Sequence, residues 1–335
     1  MKEAMLYTKK KEGVVNCFLC NHRCVIPPGG RGVCGVRENR EGILYSLVYG
    51  KAIAAHVDPI EKKPLNHFLP GSLSYSIATI GCNFRCQFCQ NWNISQKEGG
   101  EIRGRELKPD EIVRSALKNN CKTISYTYTE PTIFFEYAYD TGTLAREKGL
   151  RNVFVSNGFM TPECLDKAGD FLDAANIDLK SFRDSFYKKV CSARVDPVLE
   201  SIKKIKRKGI WLELTTLLIP ERNDSVEELR DIANFIAGEV GEDTPWHISR
   251  FHPAYKFNDY YPTPVETIHR AREIGLEAGL KYVYVGNVSG DLGEDTLCSR
   301  CGMVLVDRSG FTVSRNRINE GKCPNCGLKI EGVWE

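Results

Sequence analysis

Between residues 74 and 287 the chain alternates short apolar blocks with longer helical ones, and this rhythm limits the fold more than any other feature. Apolar runs at 76–80, 123–128, 152–156, 174–179, 211–219, 247–251 and 281–285 predict strands. Stretches at 109–118, 132–148, 162–171, 198–208, 225–237 and 264–278 predict helices. Several of these open on proline or a capping hydroxyl, and some end at Gly149, Gly209 or Gly279. Repeated strand-helix units imply a parallel sheet, because parallel neighbours need a crossover. About six such units suit an α/β fold of the incomplete (β/α)6 barrel type, open on one side; a doubly wound sheet is the competing layout. In such folds chemistry sits at the C-terminal ends of the strands. The segments after successive strands carry a cysteine triplet, Glu130, Asn157-Gly158, Lys180, Pro220 and His252, so polar residues converge on one rim.

The triplet reads Gly81-Cys82-Asn83-Phe84-Arg85-Cys86-Gln87-Phe88-Cys89, a C-x3-C-x2-C run. Three closely spaced thiolates can bind three irons of a [4Fe-4S] cube and leave the fourth iron open to a substrate or cofactor. A closed zinc site needs a fourth nearby ligand, and neither cysteine nor histidine occurs between Cys89 and Cys121.

Eleven of the fourteen cysteines fall into three such groups. Grouped cysteines in a reducing compartment bind metal more often than they pair. At the N-terminus stand Cys17, Cys20, Cys24 and Cys34, with His22 able to replace one of them. Their spacing is that of neither paired knuckles nor a ferredoxin run, so zinc and a second [4Fe-4S] cluster both stay open, zinc being preferred. At the C-terminus, Cys298 and Cys301 followed by Gly302, and Cys323 and Cys326 followed by Gly327, form two knuckles. They predict a tetrahedral thiolate site in a small β-rich module, a zinc ribbon or rubredoxin type holding zinc or iron. Zinc is preferred, because Met303 stands where a rubredoxin carries an aromatic residue. Cys121, Cys164 and Cys191 read as small buried hydrophobes. The expected division is a cysteine-rich segment at 1–73, the barrel at 74–290 and the C-terminal module at 291–335. The first includes a hairpin over 42–57 that turns near Tyr49-Gly50-Lys51.

Charge narrows the partners. Forty-six Lys and Arg against 43 Asp and Glu leave +3, which argues for no polyanionic partner. Arg308, Arg315 and Arg317 lie in the last module, but Asp307 and Glu320 break any basic face there, so nucleic acid is not expected. The opening Met1-Lys2-Glu3-Ala4-Met5 lacks a signal-peptide pattern, and the most apolar long stretch, 43–57, is interrupted by Lys51. A cytoplasmic protein with no membrane partner is the expectation.

The triplet, with its aromatic Phe88 before the last cysteine, resembles the signature of radical S-adenosylmethionine (SAM) enzymes. Other segments are similar to the branch that contains the activating enzymes of glycyl-radical enzymes. Tyr128-Thr129-Glu130-Pro131 resembles a Gly-Gly-Glu-Pro segment that holds the SAM amine. Ser156-Asn157-Gly158-Phe159 resembles the segment after the third strand, where Val155 replaces an acidic residue. Asp178-Leu179-Lys180 resembles an Asp-x-Lys segment, and Arg250-Phe251-His252 a strand end whose histidine contacts SAM. The resemblance implies SAM bound by Phe88, Thr129, Glu130, Ser156, Asn157, Asp178, Lys180 and His252, with Lys180 on its carboxylate. A longer run, Asp58 to Gly71 followed by Gly81 to Trp92, resembles the radical SAM family of the AmmeMemoRadiSam system.

What this resemblance implies is chemistry at Cys82, Cys86 and Cys89. A reduced cube passes one electron to SAM, and the resulting 5′-deoxyadenosyl radical abstracts a hydrogen atom from a substrate. The cofactor carries the reaction; the protein orients it and excludes water. An external one-electron donor is implied, and a protein substrate, such as a glycyl residue, is the first reading. Modification of RNA or of a small molecule is the second, and a non-catalytic metal-binding scaffold the third.

Overall fold

The computed structural model describes residues 1–96 and 102–335. Its centre is an eight-stranded sheet. We label the strands β1 (Ala54–Pro59), β2 (Leu73–Ala78), β3 (Thr123–Tyr126), β4 (Arg151–Ser156), β5 (Ala174–Asp178), β6 (Trp211–Leu218), β7 (Trp246–Arg250) and β8 (Val283–Gly286). Their spatial order follows the chain from β1 to β8. Strands β2 to β8 run parallel, and β1 pairs antiparallel with β2. A doubly wound sheet reverses its strand order at a switch point. This one never reverses, so it curls in one sense into an open barrel whose edges, β1 and β8, are not paired with each other among the described residues.

The period-two alternation of a strand explains how the barrel acquires a polar interior. Tyr75, Ile77, Ile124, Tyr126, Phe154, Ile177, Leu212, Leu214, Trp246 and Ile248 belong to the main apolar core, which also holds the inward faces of the helices. Alternate residues on the same strands face the concave side. There Ser74 Oγ meets Ser125 Oγ at 2.6 Å, Thr215 Oγ1 donates to Asn176 at 2.9 Å, and His247 Nε2 lies 2.7 Å from Glu213. The main helices are Pro109–Lys118, Phe135–Glu147, Pro162–Ala168, Asp196–Arg207, Val226–Phe235 and Val265–Glu277. Thr161 and Ser225 cap two of them by accepting from Cys164 N and Glu228 N, which satisfies amides that the first turn leaves free.

The loop from Asp58 to Gly71 closes the bottom of the barrel. Ile60, Leu65, Phe68 and Leu69 pack against Val153, Ala174 and Trp211 as a second apolar cluster. Asn66 N and His67 N both donate to Glu213, and Asn176 Nδ2 donates to Pro64 O. The C-terminal tail reaches the same loop: Leu69 N donates to Val333 O and Val333 N to His67 O, each at 2.7 Å.

One local expectation is corrected. The hairpin over 42–57 does not form with a turn near 49–51. Instead Arg37–Arg40 pairs with Ile43–Ser46. Their turn falls at Glu41 and Gly42, whose φ values of 53° and 83° suit a two-residue hairpin turn. The chain beyond is β1, which belongs to the barrel, so the sheet begins before residue 74. The C-terminal module is β-rich as expected, with a three-stranded antiparallel sheet of Thr296–Leu297, Val304–Ser309 and Thr312–Asn316. No helix among the described residues is long and apolar enough to cross a membrane.

Candidate active site

A cavity of about 540 Å³ opens at the C-terminal ends of the strands. Its walls include Cys82, Cys86, Phe88, Cys89, Thr129, Glu130, Ser156, Asn157, Asp178 and Lys180, brought together from the ends of β2, β3, β4 and β5. His252 is placed differently: it is exposed and lines an adjoining cavity of about 600 Å³ rather than this one. Lys62, Gln90, Ser249, Asn287 and Phe311 line both cavities.

Burial pushes the Cys82 and Cys89 thiols above their ordinary range, and nearby polar groups partly offset it. Phe84 N points at Cys82 Sγ at 3.3 Å, and Ser95 Oγ lies 3.1 Å from Cys89 Sγ. A residue the sequence left aside joins them. The chain after β5 forms a wide helical turn at Tyr187–Cys191, and Arg85 N donates to Cys191 O while Gln87 N donates to Val190 O. These bonds carry the Cys191 thiol to Cys86, where its S–H pulls the Cys86 thiol below its ordinary range against the effect of burial. Cys191 is a buried small residue, as expected, but it also touches a candidate cluster thiolate. No motif marks it; only the fold brings it there.

Glu130 is 2% exposed and fully engaged. One carboxylate oxygen accepts from Thr132 N at 3.0 Å, from Thr132 Oγ1 and from Ser156 Oγ at 2.8 Å; the other accepts from Asn157 N at 2.8 Å. Burial raises its pKa, and these donors counter the rise. The carboxylate therefore ties the end of β3 to the end of β4. Asn157 passes the tie onward, donating to Asn83 Oδ1 at 2.8 Å and lying 3.9 Å from Cys82 Sγ. The next residue has to be glycine. Gly158 has φ +72°, and a Cβ there would lie 2.7 Å from Ile177 Cγ2.

On the opposite wall, Lys180 Nζ donates to Asp178 at 2.9 Å and stands 5.7 Å over the Phe88 ring. Burial opposes its charge, but Asp178 and the Cys86 and Cys191 sulfurs outweigh that and hold its pKa well above the ordinary lysine value. Lys180 is thus a fixed cation beside the thiols. Tyr128 has a left-handed φ of 61°, the conformation that glycine adopts most readily. A side chain is tolerated because its hydroxyl donates to Asp58 and Lys63 Nζ lies 4.8 Å over its ring. Asp58 also accepts from Lys62 at 2.8 Å and Lys63 at 2.7 Å, so the loop that floors the barrel adds two cations to the site. Burial lowers the Lys63 pKa to about 8 despite Asp58.

The C-terminal thiols converge more tightly. Cys298 Sγ lies 3.6 Å from Cys326 Sγ, and Cys301 Sγ 3.7 Å from Cys323 Sγ. Metal–sulfur bonds of ~2.3 Å in a tetrahedron require sulfur–sulfur edges of ~3.8 Å. The four sulfurs therefore fit one tetrahedral ion.

Comparisons with known proteins bear on the family and the fold. The family described as the Radical SAM superfamily matches residues 76–236. Uncharacterized protein MJ0808 of Methanocaldococcus jannaschii is 48% identical over 335 residues, covering 99% of this chain and 100% of its own length. The pyruvate formate-lyase-activating enzyme of Clostridium pasteurianum is 23% identical over 215 residues, 60% of this chain and 87% of that protein. A radical SAM methyltransferase from Sphaerobacter thermophilus shares the fold with a TM-score of 0.52 at 17% identity, covering 70% of this chain and 71% of that one.

Proposed function

We propose that this chain, whose residues 76–236 match the Radical SAM superfamily, is an activating-enzyme-like member that removes a hydrogen atom from a protein residue. The family implies a [4Fe-4S] cluster and SAM, and the residues present suit both. Three thiols share one cavity that no histidine lines among the described residues, and its carboxylates, Glu130 and Asp178, are already engaged by hydrogen bonds. A cluster held by Cys82, Cys86 and Cys89 would supply the single electron for reductive cleavage of SAM.

The chain's own residues do the rest. Lys180 offers a charge partner for the SAM carboxylate, and Asp178 keeps it aimed. Glu130, with Ser156 and Asn157, fixes the wall against which the amine docks; Thr129 is held by its bond to Thr79 O. Phe88 gives the adenine a flat, buried neighbour. The single observation that carries the reading is the convergence of Cys82, Cys86, Cys89 and Lys180 on one cavity. The likeness to a pyruvate formate-lyase-activating enzyme supports a protein substrate. The run from Asp58 to Gly71, which floors the barrel, supports membership of the AmmeMemoRadiSam branch. An external one-electron donor, zinc at Cys298, Cys301, Cys323 and Cys326, and a cytoplasmic setting belong to the same proposal.

The test is anaerobic. Reconstituted protein with a strong reductant should convert SAM into 5′-deoxyadenosine, and deuterium from a glycine-labelled protein extract should enter that product. SAM left intact removes the enzymatic reading; deuterium arriving from labelled nucleotide instead removes the protein substrate. Cys191 supplies a second expectation. A hydrogen bond to a cluster sulfur raises the potential, so Cys191→Ala should keep its iron yet become harder to reduce, as an EPR-monitored redox titration would show.

A further inference from the structure

The N-terminal thiols behave unlike the C-terminal ones. Cys17 lies at the end of the strand Val15–Cys17, and its N–H donates to Cys24 O. A Cβ on Gly32 would sit 3.7 Å from Cys24 Sγ and 3.8 Å from Cys34 Sγ, so those two sulfurs flank one glycine. Cys20 is half-buried and feels the charges of both Cys34 and Cys17, so its sulfur lies near theirs. Backbone N–H groups of His22, Val33 and Val36 point at Cys20, Cys24 and Cys34, as Phe84 N does at Cys82. Yet among the described residues only the C-terminal group brings three or more ligand atoms within 4.8 Å of one another. One zinc ion needs sulfur–sulfur edges of ~3.8 Å throughout. A group that faces inward but stands wider suits a cage with one iron per thiolate.

Two buried polar atoms at this group lack partners. Arg37 Nε has none, although its guanidinium is held by Glu136 at 2.9 Å and bears on Cys17 and Cys34. Asn83 Nδ2 has no hydrogen-bond partner at ordinary distance and is turned towards Cys20. Asn83 is fully buried and follows Cys82 directly. Its carbonyl oxygen lies 2.7 Å from His22 Nε2, and its side-chain oxygen accepts from Asn157. The two cysteine groups are therefore neighbours, joined through one residue. Further contacts close the joint: Asn21 N donates to Phe159 O, and Arg85 donates to Val33 O.

The geometry points to a second [4Fe-4S] cluster held by Cys17, Cys20, Cys24 and Cys34, which relays electrons past Asn83 to the central site. All four irons have protein ligands there, so this cluster carries electrons and binds no SAM. A low-potential one-electron protein donor reduces it by one electron. It returns to its oxidised state when that electron moves to the central cluster, and no proton or leaving group is involved. This is the second of the two readings that the spacing leaves open, in place of zinc. The relay rests on the proposed central chemistry; the second cluster itself does not.

The experiment uses the full chain, reconstituted with iron and sulfide. About eight irons and eight labile sulfides per chain are expected, besides the C-terminal metal. Cys20→Ala/Cys34→Ala should fall to about half that iron and still cleave SAM when dithionite is the reductant. Cys86→Ala should also keep about half, in a cluster whose EPR signal SAM leaves unchanged. Should the double variant fail to fold, the Cys86→Ala iron count decides alone. Wild-type protein with about four irons and an extra zinc would overturn the second cluster, as would an iron-free Cys86→Ala protein. Eight irons with SAM left intact would instead overturn the central reading and leave this site standing.

Discussion

Cys86→Ala should abolish SAM cleavage and strip the central site of its iron, while the chain stays folded. The reason is stoichiometric: three thiolates hold three irons, and two cannot keep the cage together. Cys86 is also the sulfur against which Cys191 is placed, and Lys180 is charged in part because of it. A single substitution thus removes a ligand and weakens the anchoring of the cation proposed for the SAM carboxylate. Two measurements separate loss of chemistry from loss of fold. The product 5′-deoxyadenosine should drop to background, and the far-ultraviolet circular dichroism should match wild type. Full turnover in this variant would refute the assignment of the central site.

Glu130→Ala should cost roughly 4 kcal/mol or more of stability, because it orphans four buried donors, the N–H groups of Thr132 and Asn157 and the hydroxyls of Thr132 and Ser156, at about 1–3 kcal/mol each. Glu130→Gln should be milder but still harmful, since its amide would turn a donor toward at least one of those donors. The sequence pointed to Glu130 as a partner for the SAM amine. The structure adds a prior duty, the tie between β3 and β4 that positions Asn157 near Cys82. Denaturant titration measures the stability, and calorimetry with SAM measures binding. A Glu130→Gln protein with unchanged stability and weakened SAM affinity would show that the carboxylate serves the ligand alone.

Much of this site was legible because strand ends announce themselves. Each parallel strand is a short apolar run, and the polar residue that ends it falls on the rim; so Cys82, Glu130, Asn157 and Lys180 were found in order. What stayed hidden depends on distance along the chain or on the backbone. β1 reads as the second arm of a local hairpin, and only its pairing with β2 assigns it to the barrel. Cys191 reaches Cys86 through a turn that carries no helical period. Asn83 touches segments 61 and 74 residues away, which no local pattern encodes. His252 shows the reverse case. Its position in the chain fits the family, but the strand end leaves it exposed beside the neighbouring cavity.

The loop that floors the barrel also accepts the tail through Val333. Residues around Val333 therefore brace the segment that carries Lys62 and Lys63 into the cavity, so a change in the tail should be felt among the thiols.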